Sequence, residues 1–255
     1  ILGNLFQLFY TLADSVIVGK TLGADSLAAV GSTSIIIYFV FCFINGFTGG
    51  FGICLGQKCG AKDEKGMRKS VAVSTLLSIV FTVVLTLICC LLSHQILRWM
   101  QIPADISGEA YDYMFVVLLG TGATVFYNMI SNMLRALGDS KTPLYFLVFS
   151  SVLNIFMDLW MVAGLGLGVF GAALATLIAQ GISAVFSFLI FFCRMRQYKS
   201  QFQWFDGQEL HLMLKIAVPS ILQQSTVSIG MMIVQAVVNP FGTQALAGYS
   251  ATMRV

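Results

Sequence analysis

Charged residues are scarce in this chain of 255 residues. Lys and Arg number 14, Asp and Glu number 11, and together they make up 10% of the sequence, against about 25% in a soluble domain. Hydrophobic residues account for 58%, and the mean hydropathy is +0.87. This shortage of charge excludes an ordinary water-soluble domain. It predicts an all-α, polytopic membrane protein.

Histidine is also rare, with only His94 and His211, and none of the six cysteines forms a CxxC pair. A metal centre or a disulfide framework is therefore a poor fit, we expect no cofactor, and the cysteines are interpreted as buried thiols. No basic block carries interleaved aromatic residues, so we expect no binding of nucleic acid. The chain opens at Ile1 without a signal-peptide pattern and stops at Val255 in mid-pattern, which predicts a piece of a longer protein.

Long apolar runs are what the sequence does contain. A transmembrane helix needs about 20 mostly apolar residues, and runs of this length without alternation disfavour transmembrane β-strands. The runs predict seven spans, over residues 1–20, 33–57, 70–97, 110–134, 143–164, 168–193 and 212–239. An eighth span is expected to begin near Leu246.

Lys and Arg are divided unevenly between the connections, with eleven in the even-numbered ones and two in the odd-numbered ones. Cytoplasmic loops carry the excess of these residues. The bias predicts a multi-pass protein of the cell (inner or plasma) membrane with its N-terminus in the cytoplasm. It weighs against a seven-helix receptor, whose N-terminus normally lies outside.

A short internal repeat pairs LGADSLAAVG (22–31) with FGTQALAGYS (241–250), at an offset of 219 residues. Six predicted spans separate the copies, so both enter the membrane in the same direction, as in transporters built from parallel repeats. We therefore expect about twelve spans in the whole protein. The chain would hold an N-terminal six-helix lobe (1–193, its first helix truncated), a cytoplasmic linker (194–211) and the start of a C-terminal lobe (212–255).

Asp112 lies within a turn of a helix start, which leaves two of the eleven acidic residues, Asp14 and Asp158, in the interior of predicted spans. No basic residue lies in the interior of a span to neutralise them. An acid at the centre of a span costs about 2.5–3.5 kcal/mol to insert and marks an ion pathway by default. A structural hydrogen bond between helices is the simpler alternative. If the pair is functional, each carboxyl group is either protonated or neutralised by a bound cation.

Polar side chains share helical faces with these acids. The faces are formed by Gln7, Tyr10 and Asp14 on the first span, Asn154 and Asp158 on the fifth, and Thr176 and Gln180 on the sixth. Carboxylate, amide and hydroxyl oxygens suit a hard cation such as Na⁺, whereas a proton carrier needs only the carboxyl groups, so both ions stay open. Asn128 and Asn132 form a further polar face on the fourth span, where lining a cavity and hydrogen bonding between helices are equally good interpretations.

Three stretches together resemble the multidrug and toxic compound extrusion (MATE) family of transporters: LADSVIVGKTLGADSLAAVG (12–31), LRALGDSKTP (134–143) and LNIFMDLWMVAGLGLGVFGAALATLIAQ (153–180). The resemblance implies a secondary active antiporter, not an enzyme, that exports organic cations and amphipathic compounds in exchange for Na⁺ or H⁺ by alternating access. It places a cation-responsive site at Asp14, Asn154, Asp158 and Thr176. Gln7 and Tyr10 would line the same cavity, and we expect a monomer in the lipid bilayer.

Two other classes compete with this hypothesis. A lipid-linked oligosaccharide flippase of the same superfamily would need a cavity rich in Arg and Lys, and a membrane-embedded enzyme would need a nucleophile with a base, or a metal cluster, at one depth.

Two local motifs have structural explanations. Gly52, Gly56 and Gly60 predict close helix packing, and GDSKTP (138–143) predicts a turn with Gly138 as C-cap, Thr142 as N-cap and Pro143 as the first helical residue.

Overall fold

The computed structural model describes residues 2–99, 104–196 and 206–238, with side chains within 12–97, 105–196 and 206–230 except at positions 24, 28, 35 and 228. Every element in these ranges is a helix, which confirms the all-α prediction. The helices are α1 (Leu2–Thr21), α2 (Ala24–Gly60), α3 (Glu64–Trp99), α4 (Ala104–Leu119), α5 (Thr121–Ala136), α6 (Lys141–Asp158), a π-helical segment (Leu159–Gly164), α7 (Gly168–Met195) and α8 (Gly207–Val238).

Each of the seven predicted spans coincides with one helix or with a pair of consecutive helices. Four described stretches are individually long and apolar enough to cross a membrane: Asp25–Gly60, Glu64–Leu97, Lys141–Gly164 and Gly168–Met195. A fifth is the bent pair Asp105–Leu119 and Thr121–Ala136. Lipid offers no partner for backbone N–H and C=O groups, so helices that satisfy them internally are the favoured solution. The chain is therefore an integral multi-pass membrane protein.

The outer surface is apolar, as contact with lipid requires. Leu91 on α3 is 81% exposed and Phe156 on α6 is 68% exposed, positions that would be unfavourable in water. The predicted eighth span and the second copy of the repeat lie outside the described residues.

Two boundaries differ from the prediction. The fourth span is not one straight helix, because it bends by 43° at Gly120, between α4 and α5. A Cβ at Gly120 would lie 2.6 Å from Leu177 Cδ1, so the missing side chain lets α7 approach the bend. Helix α2 begins at Ala24, well before residue 33, because Gly23 makes the turn after α1 with a φ of 97°, a conformation that favours glycine.

The prediction for the GDSKTP turn is confirmed at Gly138 and wrong at Thr142, the expected N-cap. Gly138 follows α5 with a φ of 85°, and the Asp139 N–H donates to the Leu134 carbonyl at 2.9 Å, which together form a Schellman motif. Asp139, not Thr142, caps α6: its Oδ1 accepts from the Lys141 N–H at 3.1 Å and the Thr142 N–H at 3.0 Å. The helix therefore begins at Lys141, ahead of the proline.

Asp139 also joins this turn to α7. Its Oδ2 lies 2.6 Å from Arg194 Nη2 and accepts from Thr142 Oγ1 at 2.5 Å. Desolvation alone would raise the pKa of Asp139, but the bonds from Thr142 and the charge of Arg194 hold it below its ordinary value. One carboxylate thus fixes the ends of α6 and α7 relative to α5.

Helix α2 packs against α8, α5 and α4, and two glycines allow its closest approach to α8. A Cβ at Gly46 would lie 2.7 Å from the Ile221 Cα, and one at Gly50 would lie 2.8 Å from the Ala217 Cα. These distances are too short for any side chain, so glycine is required on this face for the two backbones to meet.

The packing predicted for Gly52, Gly56 and Gly60 holds in part. A Cβ at Gly52 would lie 3.1 Å from the Asn132 carbonyl oxygen on α5, and one at Gly56 would lie 3.7 Å from the Ala136 Cβ. Gly60 has no described atom within 4 Å of such a Cβ, so it is not part of the contact. The sequence indicated close packing on α2 but not which glycines make the tightest contact.

Two ion pairs join α2 and α3 to α8 at one end of the bundle. Lys58 on α2 pairs with Glu209 on α8, which also accepts a hydrogen bond from Ser70 Oγ at 2.5 Å. Lys69 pairs with Asp206 at 2.7 Å. Glu209 is only 6% exposed, whereas the Lys69–Asp206 pair is more accessible. The buried pair therefore carries more of the connection.

We predict that Gly50→Ala destabilises the bundle, because its Cβ overlaps the α8 backbone and overpacking costs about 1–3 kcal/mol. The apparent melting temperature in detergent is the measurement. Gly49→Ala is the matched control, because no described atom lies within 4 Å of its Cβ. It should leave the melting temperature unchanged or raise it, and equal losses in both variants would contradict the close contact.

We also predict that Glu209→Lys lowers the melting temperature strongly, because breaking a buried pair costs about 3–5 kcal/mol. Exchange of both charges, Lys58→Glu with Glu209→Lys, should recover part of the loss. Asp206→Ala should lower the melting temperature much less, because its ion pair is more exposed. The main loss would be its helix cap, in which Asp206 Oδ1 accepts from the Gln208 and Glu209 N–H groups. A double exchange no better than Glu209→Lys alone would show that the pair does not hold α2 to α8.

Candidate functional site

The two intramembrane acids meet inside the bundle. Asp14 lies in α1 and Asp158 is the last residue of α6, and these two helices pack against each other. Their side chains are 8% and 0% exposed, and the two carboxyl groups are in hydrogen-bonding contact. One oxygen of each is buried without a hydrogen-bond partner among the described residues. Two touching carboxylates in an apolar interior cannot both stay charged without a proton or a cation to compensate them.

Asn154 lies next to this pair, one helical turn before Asp158, and links it to α7. With its amide nitrogen toward Asp158, Asn154 donates to Oδ2 at 3.0 Å while its oxygen accepts from Thr176 Oγ1 at 3.1 Å. With the amide turned over, its nitrogen donates to Thr176 Oγ1 instead, also at 3.1 Å. Asn154 is 1% exposed, so both hydrogen-bonding arrangements are buried. Four polar residues thus form a continuous chain across α1, α6 and α7.

The backbone changes character directly after Asp158. The π-helical segment Leu159–Gly164 begins there, with the Leu165 N–H donating to the Trp160 carbonyl at 2.9 Å. Local π-helix is common at functional sites. Val162 in this segment packs in one apolar cluster with Val18, which lies one turn after Asp14. Val162 likewise lies four residues after Asp158, so this cluster follows the two acids by about one turn on each helix.

A polar cavity of about 360 Å³ lies on the other side of Asn154. It is lined by Phe41 and Asn45 of α2, by Thr124, Tyr127, Asn128 and Arg135 of α5, by Leu147, Ser150, Ser151 and Asn154 of α6, and by Thr176, Ala179, Gln180 and Ser183 of α7. Asp14 and Asp158 are not among the lining residues. Asn154 and Thr176 therefore stand between the acid pair and the cavity.

The structure places some of the predicted cavity residues in the cavity lining and others outside it. Gln180 lines the cavity and accepts from Thr124 Oγ1 at 2.6 Å, and Asn128 lines it while donating to the Thr124 carbonyl at 2.8 Å. Asn132 does not line it, because its amide donates to Thr48 Oγ1 on α2 at 3.2 Å. Of the two interpretations of this face, Asn128 fits the cavity and Asn132 fits helix packing. Gln7 and Tyr10 lie in α1, but their side chains are outside the described residues.

Sequence reasoning missed several lining residues, chiefly Thr124 and Asn45. Both are uncharged residues inside apolar spans, and the only available signal was their helical spacing from better candidates. Arg135 was counted in the fourth connection but also shares the polar face of Asn128 and Asn132 at the end of the fourth span. The structure places it in the last turn of α5, where it lines the cavity.

Metal-binding clusters are not found in the described parts of the chain, where no three His, Cys, Asp or Glu side chains come together. All six cysteines are free thiols. His94 stacks on Tyr111 at 4.3 Å between ring centroids and takes no part in the polar chain. The arrangement suits reversible binding of a proton or a hard cation near a polar cavity.

A family model named MatE matches residues 1–160 of the chain. The chain belongs to this family. The MatE match covers α1 to α6, including both acids and Asn154, whereas Thr176 lies beyond it.

The curated relatives of this MatE chain are bacterial proteins about twice its length. It is 32% identical to a probable multidrug resistance protein, YpnP, of Bacillus subtilis, over the whole chain and 57% of that protein. It is 25% identical to a probable multidrug resistance protein, NorM, of Thermotoga maritima, over 99% of the chain and 55% of that protein. The chain therefore spans little more than half the length of the relatives it matches.

Solved structures match the MatE chain closely. A crystal structure of a MATE protein in the bent conformation superposes with a TM-score of 0.89 at 28% identity, covering 99% of the chain and 57% of that protein. A MOP superfamily transporter from Pyrococcus furiosus, described as having a reverse polarity of its binding pocket, gives a TM-score of 0.86 at 28% identity, over 99% of the chain and 57% of that protein. The helical bundle is thus the fold of these transporters.

We predict that the polar cavity admits water. In a protein whose native cysteines are replaced, Asn128→Cys should react with a hydrophilic thiol reagent, because Asn128 is half-buried and lines the cavity. Ser131→Cys is the matched control on α5, since Ser131 is 2% exposed and lies outside the cavity lining. The rate of modification is measured by mass shift. Equal rates at the two positions would contradict an open cavity.

Proposed function

We propose that this MatE chain is the larger part of a secondary active antiporter that exports organic cations and related amphipathic compounds. The exchanged ion, H⁺ or Na⁺, binds at Asp14 and Asp158 with support from Asn154 and Thr176. The observation that carries the proposal is the contact between two carboxyl groups that were predicted, from isolation in their spans, to form an ion site. The names of curated relatives, multidrug resistance and multidrug export proteins, support drugs as substrates, and the family resemblance adds organic cations and amphipathic compounds.

Repulsion between the two acids is the interaction that would couple ion binding to a conformational change in the antiporter. Loss of the proton or cation leaves two like charges in contact in a low-dielectric interior, which favours any conformation that separates α1 from α6 or lets water in. Binding of the ion reverses that preference. An ion can shift a conformational equilibrium only through different affinity for the two states, and contact between the carboxyl groups is such a difference.

Asn154 is proposed to pass this change to the cavity. A charged Asp158 accepts from the amide nitrogen, whereas a protonated Asp158 can donate to the amide oxygen, so the favoured orientation of Asn154 depends on the ion. When the amide turns over, the Asn154 group that faces Thr176 changes from an accepting oxygen to a donating nitrogen. Thr176 lines the cavity, so the change reaches the cavity wall.

The cavity is the proposed place where substrate binds. Its amide and hydroxyl groups, including Asn128 and Gln180, could hydrogen-bond a substrate, while Phe41 could stack on a flat ring or cation. We also propose that the chain consists of an N-terminal lobe, a linker and the start of a second lobe. We propose further that its N-terminus is cytoplasmic and that the protein is a monomer. The lysine and arginine bias between connections supports the orientation.

We predict that Asp14→Asn and Asp158→Asn each reduce efflux of a fluorescent cationic dye to the background of cells without the protein. The complete gene is expressed at matched levels, and efflux is followed under separate pH and Na⁺ gradients. Asp25→Asn is the control, because Asp25 is an exposed acid at the start of α2 and the substitution is chemically the same. A response to the pH gradient alone would assign the ion as H⁺.

Two results would contradict the site. Efflux unchanged in both variants would show that the acids are structural, and equal loss in Asp25→Asn would show that the assay reports folding or expression.

A flippase for an anionic lipid-linked sugar is the second candidate, favoured by Arg135 at the cavity. Transport that depends on Arg135 and not on the acids would support it.

A further inference from the structure

We infer that a groove between α3 and α7 binds an anionic phospholipid, with the phosphate at Arg68 and Arg196 and an acyl chain along the apolar floor. This inference does not depend on the proposed transport function. The groove has a volume of about 720 Å³, within the range of about 300–1,000 Å³ that is usual for ligand pockets. It is separate from the polar cavity and shares no lining residue with it.

The shape of the groove follows from helical spacing. On α3 its lining runs from Arg68 through Ala72 and Leu76 to Ile79, a stripe of residues three or four apart. A rise of about 1.5 Å per residue makes this stripe about 16 Å long. The hydrocarbon core of a bilayer is about 30 Å thick, so the groove spans about one leaflet.

Its floor and walls are apolar and open toward lipid. Met129 and Phe191 are buried at the base, while Ile79 and Phe192 at the edges are 47% and 54% exposed. Both α3 and α7 are long, apolar membrane helices. An acyl chain can therefore enter sideways from the bilayer, and the floor offers it contacts along most of its length.

The charged end selects the headgroup. Arg68 Nη2 donates to the Met195 carbonyl at 3.4 Å, which places its guanidinium at the C-terminal end of α7 beside Arg196. Two guanidinium groups at one site suit the bidentate recognition of a phosphate. Arg68 and Arg196 belong to even-numbered connections, which the charge bias predicts to be cytoplasmic, and that leaflet carries anionic lipid.

Carboxylates do not compete for this site among the described lining residues. At this end of α3, Asp206 and Glu209 pair with Lys69 and Lys58, while Asp63 accepts from the Gly66 N–H and Glu64 lies at an exposed position in the first turn of the helix. The groove therefore combines net positive charge at one end with an apolar body about one leaflet long. A zwitterionic lipid would fill the apolar part equally well but would gain less at the arginines.

The experiment is native mass spectrometry of the complete protein after exchange into equal amounts of phosphatidylglycerol and phosphatidylcholine. The wild-type protein should retain phosphatidylglycerol in preference by about thirtyfold, as expected for two basic residues at the membrane surface. Arg68→Gln with Arg196→Gln should abolish the preference, and Arg196→Gln alone, at an exposed position that leaves folding intact, should reduce it.

Matched variants separate this site from general surface charge. Lys65→Gln with Lys141→Gln removes two charges from exposed positions in even-numbered connections, away from the groove, and should keep the preference. Thr75→Trp fills the groove while both arginines remain, and should release the lipid. The inference is overturned if the wild-type protein shows no preference, if the lysine variant loses as much as the arginine variant, or if Thr75→Trp retains phosphatidylglycerol.

Discussion

The contact between the Asp14 and Asp158 carboxyl groups is the interaction on which the proposed function of this protein depends. The surrounding helices are apolar, and charge burial there is costly unless a proton or a cation compensates it. Packing of α1 on α6 and the bridge through Asn154 leave both acids buried, with an apolar cluster about one turn after each. In the proposed function the pair therefore has two energetically distinct states, occupied and vacant.

In the rest of the described bundle, the acid pair, the polar cavity and the ion pairs at the helix ends lie in separate places. Asn154 and Thr176 separate the acid pair from a cavity lined by amides and hydroxyls, and they are the residues through which the proposed function couples the two. The charged residues are concentrated at one end, where Asp139, Glu209 and Asp206 each join helices through ion pairs. These end contacts position the helices without placing charge in the lipid-facing middle.

Particular residues show how far pattern alone can go. Asp14 and Asp158 were found because a carboxylate within an apolar run is conspicuous, and Asn154 and Thr176 because of their spacing and the family resemblance. Asn132 and Asn128 looked equivalent, and only the position of α2 separated them, since Thr48 lies opposite Asn132. The tightest glycines, Gly46 and Gly50, were also indistinguishable from their neighbours until α8 was placed against them.

The sequence by itself determined the class of this protein, the location of its helices and the two acids that need a partner. Hydropathy acts on each segment separately, so these features can be inferred without knowing what packs against what. Tertiary structure alone decided that the acids touch, that Asn154 separates them from a cavity, and that Arg68 lies beside Arg196. Those outcomes depend on which helix faces meet, and residues more than a hundred positions apart carry no local signal of that choice.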